Sequence, residues 1–261
     1  MSPLSRRTVL AMLGAAAVPP VVTIGARPAA AADDNYLSNL DMYSKTTEGV
    51  DYARRFRRHA AFDDSDAPGG SYPDTAILAV HGGGIEPGTS ELCLAIAGYD
   101  PADLTSSGPV YDYWMLEGIR TSGNAALHVT ATHCDDPVAL ATAAASRRTV
   151  SLHGCSPAEA EQDDDVAAVL VGGLDTDLKA ALIRAYRAAG LNAIDANIVP
   201  PLSGTDTRNI VNLNGRGKGV QLELTTPLRT DMFFTNTRKD RKNTLKPLFD
   251  TFVTATRSAL A

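Results

Sequence analysis

The chain has 261 residues, of which 44% are hydrophobic, and this suits one domain with a buried core behind a removable leader. Its 24 basic and 30 acidic side chains give a formal net charge of −6, which argues against a general nucleic-acid binder. Cys93, Cys134 and Cys155 allow at most one disulfide, and they show neither a CxxC pair nor a metal-ligand spacing. The three cysteines therefore form either one disulfide with one free thiol or no disulfide, with three buried thiols.

Residues 1–32 have the pattern of a twin-arginine signal peptide. Arg6 and Arg7 precede an apolar run from Ala11 to Ile24, and a stretch of small residues closes the segment. Pro19 and Pro20 interrupt the run, whereas a stable membrane anchor needs about 20 unbroken apolar residues. We therefore expect the twin-arginine machinery to export the folded chain to a secreted or extracytoplasmic location. Loss of the leader, which has three arginines and no acid, leaves a net charge of −9.

Residues 33–72 are polar and are interpreted as an N-terminal extension, followed by a single domain at 73–261. Apolar or alternating runs predict strands at 75–80, 110–116, 125–132, 149–152, 166–171 and 218–225. Helical spacing predicts helices at 89–97, 137–145, 175–189 and 244–260. This alternation indicates an α/β domain with a mostly parallel or mixed central sheet flanked by helices.

Two histidines fall just after predicted strands. His81 follows the first strand of the domain, and His153 follows the strand at 149–152. Ligands of such sheets bind beyond the carboxyl ends of the strands, so both imidazoles are expected at one edge. The glycines of His81-Gly-Gly-Gly-Ile-Glu86 let a carboxylate approach the first imidazole. Two histidines, one glutamate and an open position suit catalytic Zn²⁺, and Glu223 on a late strand is a candidate general base.

Each of these residues also has an ordinary structural interpretation. A histidine at a strand end is usually part of the packing, Glu86 suits a capping role before the helix at Thr89, and Glu223 suits a solvated strand position. Two other functions remain open for the chain as a whole. His-Gly-Gly-Gly occurs in the oxyanion loop of serine esterases, although no Gly-x-Ser-x-Gly turn is present. The second of these functions is that of a non-catalytic exported module, which would bind a polymer in the same cleft.

Three segments in order resemble the poly-γ-glutamate hydrolase family. They are His81-Gly-Gly-Gly-Ile-Glu86, Ser151-Leu-His-Gly154 and Gly217-Lys-Gly-Val-Gln-Leu-Glu-Leu224, with Arg229 downstream. The resemblance runs from about Tyr72 to the C-terminal helix and implies a fold similar to that of zinc carboxypeptidases. It further implies His81, Glu86 and His153 as Zn²⁺ ligands, Glu223 as general base, and hydrolysis of γ-glutamyl amide bonds.

A γ-linked glutamate keeps a free α-carboxylate, so the implied substrate is an anionic, glutamate-containing polymer or peptide. Arginine is the side chain best suited to pair with a carboxylate through two hydrogen bonds. Arg216 and Arg229 flank the strand of Glu223 and are the predicted substrate-binding cations, with Asn212 as a neutral partner.

Overall fold

Seven strands form one mixed sheet in the computed structural model, which describes residues 34–58, 74–106 and 108–261. The sheet order is β1-β3-β2-β4-β7-β5-β6. In chain order the strands are β1 (Tyr52–Arg57), β2 (Thr75–Gly83), β3 (Asp112–Gly118), β4 (Arg148–Cys155), β5 (Val169–Gly172), β6 (Ala193–Asp195) and β7 (Val220–Thr225). Neighbours from β3 through β2 and β4 to β7 are parallel, whereas β1 and β5 pair antiparallel with β3 and β7.

Helices cover both faces of the sheet. They are α1 (Asn39–Lys45), α2 (Thr89–Ala97), α3 (Pro137–Ala145), α4 (Thr176–Ala188), α5 (Thr226–Asp231) and α6 (Pro247–Leu260). On one face, Tyr186 of α4 stacks on Phe252 of α6 over the apolar side of the sheet. On the other face, Met42 of α1 and Trp114 of β3 belong to a second apolar cluster. The predicted single α/β domain with a mixed sheet flanked by helices is confirmed.

The central strands consist mainly of apolar side chains, and helices cover both of their faces. Every residue of β2 and β7 is buried, as expected for parallel strands covered by helices on both faces. The helices carry the expected end signals: the Asp175 side chain accepts a hydrogen bond from Leu178 N at the start of α4, and the left-handed Gly98 ends α2. The four predicted helices are confirmed with shifts of at most a few residues at their ends.

The structure corrects the predicted strand at 125–132. This segment instead forms two short 3-10 turns, Asn124–Leu127 and Ala131–His133, and no part of it pairs with the sheet. A strand at 125–132 would have to pair with the outer side of β3, but β1 already pairs with β3 on that side. Leu127, Val129 and Ala131 are buried, so the alternation arises from a turn that lies on the face of the sheet.

Strands β2 and β4 are also longer than predicted, so His81 and His153 lie within their last residues rather than beyond them. The sheet begins with β1, inside the segment interpreted as a polar extension. The predicted signal peptide at 1–32 lies outside the described residues. Within the described ranges, no helix combines the length and the hydropathy needed to cross a membrane. Cys93, Cys134 and Cys155 are free and buried.

Candidate metal centre and active site

Three neighbouring strands bring the predicted site residues together. His81 lies near the carboxyl end of β2, His153 near that of β4, and Glu223 lies beside His153 in the register of β4 and β7. Because adjacent strands are about 4.8 Å apart, these positions meet at one edge of the sheet. Glu86 joins them from the turn that follows β2, and all of these side chains except that of Glu86 are almost fully buried.

The turn after β2 requires glycine. Gly83 has a φ of +68°, and a Cβ there would lie 2.5 Å from the carbonyl oxygen of Gly118. Glycine meets both requirements, because without a Cβ it adopts the left-handed backbone without strain and leaves room for β3. The chain then turns back, and the Glu86 amide donates to the carbonyl of His81 at 2.8 Å. This hydrogen bond places the carboxylate of Glu86 beside the imidazole from which the turn starts.

Nitrogen and oxygen donors converge at this point. His81 Nδ1 lies 2.8 Å from Glu86 Oε1 and 3.2 Å from His153 Nδ1. His128, from the corrected segment, brings its Nε2 to 3.8 Å from Glu86 Oε1. The donor atoms of His81, Glu86 and His128 all lie within 4.8 Å of one another. Three imidazoles and one carboxylate are therefore available to a cation of the zinc type.

Each imidazole has one nitrogen engaged away from this centre. His81 Nε2 donates to the carbonyl of Val129, and His153 Nε2 lies 2.8 Å from Ser151 Oγ. His128 Nδ1 lies 2.6 Å from Asp34 Oδ1. Hydrogen bonds of this kind fix the tautomer and orientation of metal-binding histidines. The Nδ1 atoms of His81 and His153 therefore face the centre, and in a neutral His81 that bonds to Val129 through Nε2 the Nδ1 atom has a free lone pair.

Burial and charge set the ionisation of the cluster. Burial raises the pKa of Glu86, but the charges of His81, His153 and His128 more than offset this and lower it to about 2. Burial, reinforced by His81, lowers the pKa of His153 to about 3. An ionised carboxylate and a neutral imidazole are the protonation states that bind a metal ion.

Glu223 is held by a short relay of amides. Gln221 Nε2 donates to Glu223 Oε1 at 2.8 Å, and Asn209 Nδ2 donates to Gln221 Oε1 at 2.7 Å. Burial raises the pKa of Glu223 well above the ordinary value of a glutamate, and the nearby charge of Glu86 raises it further. A carboxylate with a raised pKa at the edge of a catalytic site is suited to accept and return a proton.

Arg229 lies against the same edge. It follows β7 in α5, and its guanidinium donates to the carbonyls of Pro87 (2.9 Å) and Leu224 (3.1 Å). It also donates to the carbonyl of Cys155 and to Thr226 Oγ1. Among the described residues, no carboxylate lies within salt-bridge distance of it, so its charge is balanced by neutral dipoles. A buried cation of this kind attracts an anionic ligand.

Comparison with known proteins identifies the family of this chain. A family model described as poly-gamma-glutamate hydrolase matches residues 41–255. The chain belongs to the poly-gamma-glutamate hydrolase family. Its fold superposes on that of a bacteriophage poly-gamma-glutamate hydrolase with a TM-score of 0.71, at 30% identity, over 87% of this chain and 96% of the other. It superposes on YndL in a zinc-free apo form with a TM-score of 0.72, at 28% identity, over 87% and 98% of the two chains.

Two curated relatives from Bacillus subtilis (strain 168) match a shorter region. The UPF0714 protein YndL is 34% identical over 67% of this chain, and the SPbeta prophage-derived UPF0714 protein YoqZ is 35% identical over 68%. The matches span 63% and 58% of the lengths of these relatives, which is less than two thirds in both cases.

Two of the predicted substrate-binding residues lie elsewhere in this family member. Asn212 and Arg216 precede β7, at the edge of the sheet opposite the metal centre. Arg216 Nη1 pairs with Asp175 Oδ2 at 3.0 Å. Asn212 donates to the carbonyls of two loop residues and accepts from the amides of Gly219 and Leu174. Their substrate-binding role stays a prediction, and the contacts that they make here hold loops in place.

Sequence reasoning missed two residues that the structure brings to this cluster, His128 and Asp34. His128 was hidden within the segment predicted as a strand, and Asp34 lay in the polar extension. The cluster Ser122-Gly123-Asn124, which is typical of a turn, was the available sign that the chain bends just before His128.

Proposed function

We propose that this chain is an exported zinc-dependent hydrolase that cleaves γ-glutamyl amide bonds in poly-γ-glutamate or a related anionic polymer. The observation that carries the proposal is the convergence of His81, Glu86 and His153, with Glu223 beside them on the next strand. Family membership supports the substrate class, since one structural neighbour is a poly-gamma-glutamate hydrolase. The other neighbour, described as zinc-free, supports zinc as the metal of this family.

The spacing of His81 and His153 fits two ligands of a tetrahedral zinc ion. With Zn–N bonds of about 2.0–2.1 Å, two nitrogen ligands lie about 3.3–3.4 Å apart and their ring centroids lie about 5 Å apart. His81 and His153 match both values, with 3.2 Å between their Nδ1 atoms and 4.9 Å between their centroids. The rings of His81 and His128 lie only 3.9 Å apart in a tilted stack. We therefore place His128 beside the ligand set of His81, Glu86 and His153, which leaves a position open as catalysis requires.

The residues of the chain divide the chemistry between them. Bound zinc would polarise the amide carbonyl and acidify the attacking water. The Glu223 carboxylate accepts a proton from that water and passes it to the leaving nitrogen, and its raised pKa makes it a stronger proton acceptor than an ordinary glutamate. Gln221 holds the carboxylate in the orientation that this exchange needs.

Arg229 provides the positive charge for the substrate. Every γ-linked glutamate carries a free α-carboxylate, and Arg229 is a buried guanidinium that is bonded to neutral oxygens at the edge of the site. Four of its five N–H groups have acceptors among the described residues, which leaves one for an anion. Arg229 is therefore the better supported of the two arginines predicted to bind the substrate.

Export is proposed from residues 1–32. Their paired arginines, apolar middle and small-residue end support the twin-arginine route. This route carries folded proteins, and a chain that folds before export can bring its metal ligands together before it leaves the cytoplasm.

The deciding experiment measures metal content and hydrolysis together. Purified wild type is expected to hold about one zinc per chain and to shorten poly-γ-glutamate, with release of new amino groups. His81→Ala should lose the zinc, whereas Glu223→Gln should keep the zinc and lose most of the activity. His133→Ala is the matched control, because His133 is exposed and outside the donor cluster, and it should behave as wild type.

Two results would contradict the proposal. A wild type that takes up no zinc at micromolar concentration would exclude the metal mechanism. A fully active Glu223→Gln variant with its zinc would exclude Glu223 as the base. Polymer that binds without being cleaved, whether or not a chelator is present, would favour the alternative of a non-catalytic binding module.

A further inference from the structure

Asp34 is the first residue of the described chain, and it reaches into the site. Its Oδ1 lies 2.6 Å from His128 Nδ1, and its Oδ2 accepts the amide of Thr130 at 2.7 Å. Both carboxylate oxygens are therefore used, and the side chain is only 12% exposed. An aspartate that accepts from two donors on the same turn has a fixed orientation, and so does the imidazole to which it is bonded.

The segment that carries Asp34 is tied to the same turn. Asn35 Nδ2 donates to the carbonyl of Ala126 at 3.1 Å, and the amide of Leu40 donates to Asp135 Oδ1 at 2.9 Å. The family model matches this chain only from residue 41. Asp34 therefore comes from a part of the chain that precedes the family match and nevertheless contacts a histidine of the site.

The Nε2 side of the His128 ring faces the centre formed by Glu86 and His81. Its Nε2 lies 3.8 Å from Glu86 Oε1, and its ring stacks on that of His81. If Nδ1 carries the proton that bonds to Asp34, Nε2 presents its lone pair towards this centre. A ring rotation or a change of tautomer would instead place a C–H or an N–H group there, so the partner of Nδ1 decides what His128 offers to the site.

We propose that Asp34 is a positioning residue of the active site. It holds His128 in the Nδ1–H tautomer, with Nε2 directed at the space beside Glu86 where the substrate amide binds. This inference rests on the proposed hydrolase function for its kinetic consequence, but the tautomer itself is independent of that function. Replacement of a carboxylate that accepts a hydrogen bond from a functional histidine lowers metal affinity or activity by about 10–100-fold.

The test uses the full chain and the isosteric variant Asp34→Asn. An asparagine amide that keeps the Thr130 contact turns its NH₂ group to His128 Nδ1, and this favours the Nε2–H tautomer. Long-range ¹H–¹⁵N NMR of metal-free protein at alkaline pH reports the tautomer of His128 directly. We expect Nδ1–H in wild type and Nε2–H or a mixture in Asp34→Asn. On poly-γ-glutamate, kcat should fall about 10–100-fold, with KM within a few-fold of wild type.

Asn35→Ala is the control, because it removes another hydrogen bond between the same segment and the same turn without touching His128. It should keep the Nδ1–H tautomer and the wild-type kcat. The proposal is overturned if Asp34→Asn keeps the wild-type tautomer, or if Asn35→Ala changes tautomer and kcat as much as Asp34→Asn does. Failure of the proposed function would look different: wild type would show the Nδ1–H tautomer and no hydrolysis.

Discussion

Gly154 is the position where one added methyl group should disturb the site without changing its charge. A Cβ at this residue would lie 2.4 Å from Cζ, 2.5 Å from Nε and 2.8 Å from Nη2 of Arg229. These distances are far inside the contact distance of about 3.5–4.0 Å. The guanidinium would have to move, although it is buried and bonded to Leu224, Cys155 and Pro87.

The expected cost of Gly154→Ala follows from those hydrogen bonds. A hydrogen bond to a charged group contributes about 1.5–3 kcal/mol, and overpacking a well-packed site costs about 1–3 kcal/mol. We expect the free energy of unfolding to fall by about 2–4 kcal/mol, which corresponds to the loss of one or two such bonds. Displacement of Arg229 should also lower kcat/KM by about tenfold or more, since 1.4 kcal/mol corresponds to a factor of ten.

Urea unfolding measures the first quantity, and the fluorescence of the single tryptophan, the fully buried Trp114, reports it. Gly215→Ala is the control, because its nearest contact would be Ser146 O at 3.2 Å, on a loop away from the site. It should change stability by less than about 0.5 kcal/mol. A Gly154→Ala variant with wild-type stability and kcat/KM would refute the view that the missing side chain makes room for Arg229.

Three further predictions concern a buried ion pair, the loop contacts of Asn212 and the bound metal. Arg241→Met leaves Glu91 charged, buried and without its ion-pair partner, so we expect a loss of about 3–5 kcal/mol in urea unfolding, part of which the additional change Glu91→Gln should restore. Asn212→Ala should lower stability with little change in KM, because its amide bonds are made to the backbone of loops; a large rise in KM at unchanged stability would instead support its substrate role. Chelation of zinc should lower the thermal midpoint by several degrees in wild type and equally in Glu223→Gln, because a ligand at 1,000 times its Kd contributes about 4 kcal/mol; no shift in either protein would count against a bound metal.

The sequence was sufficient for the part of the site that depends on buried parallel strands. Strand β2 contains an uninterrupted hydrophobic run, whereas β4 and β7 alternate apolar and polar residues, and both patterns predict strands. Once the runs are assigned to parallel strands, the carboxyl-end rule brings His81 and His153 together without further information. The glycine run also signals the turn to Glu86, because Gly83 adopts a left-handed backbone that glycine favours.

The position of His128 could not be predicted in this way. Alternate residues Leu127, Val129 and Ala131 are buried, which is the pattern of a half-buried strand. The same pattern arises when an irregular turn lies flat on the face of a sheet, and only the packing against Trp114 and its neighbours distinguishes the two. Asp34 is harder still, since its hydrogen bond to His128 spans 94 residues and leaves no local signal.

Asn212 and Arg216 illustrate a different limit. Closeness to Glu223 in the sequence suggested that they lie near it, but a strand carries the chain from one edge of the sheet to the other. Six residues of β7 span about 20 Å at 3.3 Å per residue. Residues before the strand therefore lie at the far edge with Asp175, whereas Arg229, after the strand, lies at the edge of the site. Direction along the strand, rather than distance in sequence, decides which flanking residue lies near Glu223 and the histidines.

Arg229 contacts the residue that follows each of three site residues, and this affects how its role can be tested. It donates to the carbonyls of Pro87 and Leu224, the residues that directly follow Glu86 and Glu223, and it packs against Gly154, the residue that follows His153. One guanidinium thus contacts the three segments that carry two of the proposed metal ligands and the proposed base. Removal of Arg229 would disturb the metal, the base and the substrate together, because breaking several bonds of a buried cation displaces every partner. Loss of activity in an Arg229 variant therefore does not show that Arg229 binds the substrate. A rise in KM, with the zinc content and the tautomer of His128 unchanged, would show it.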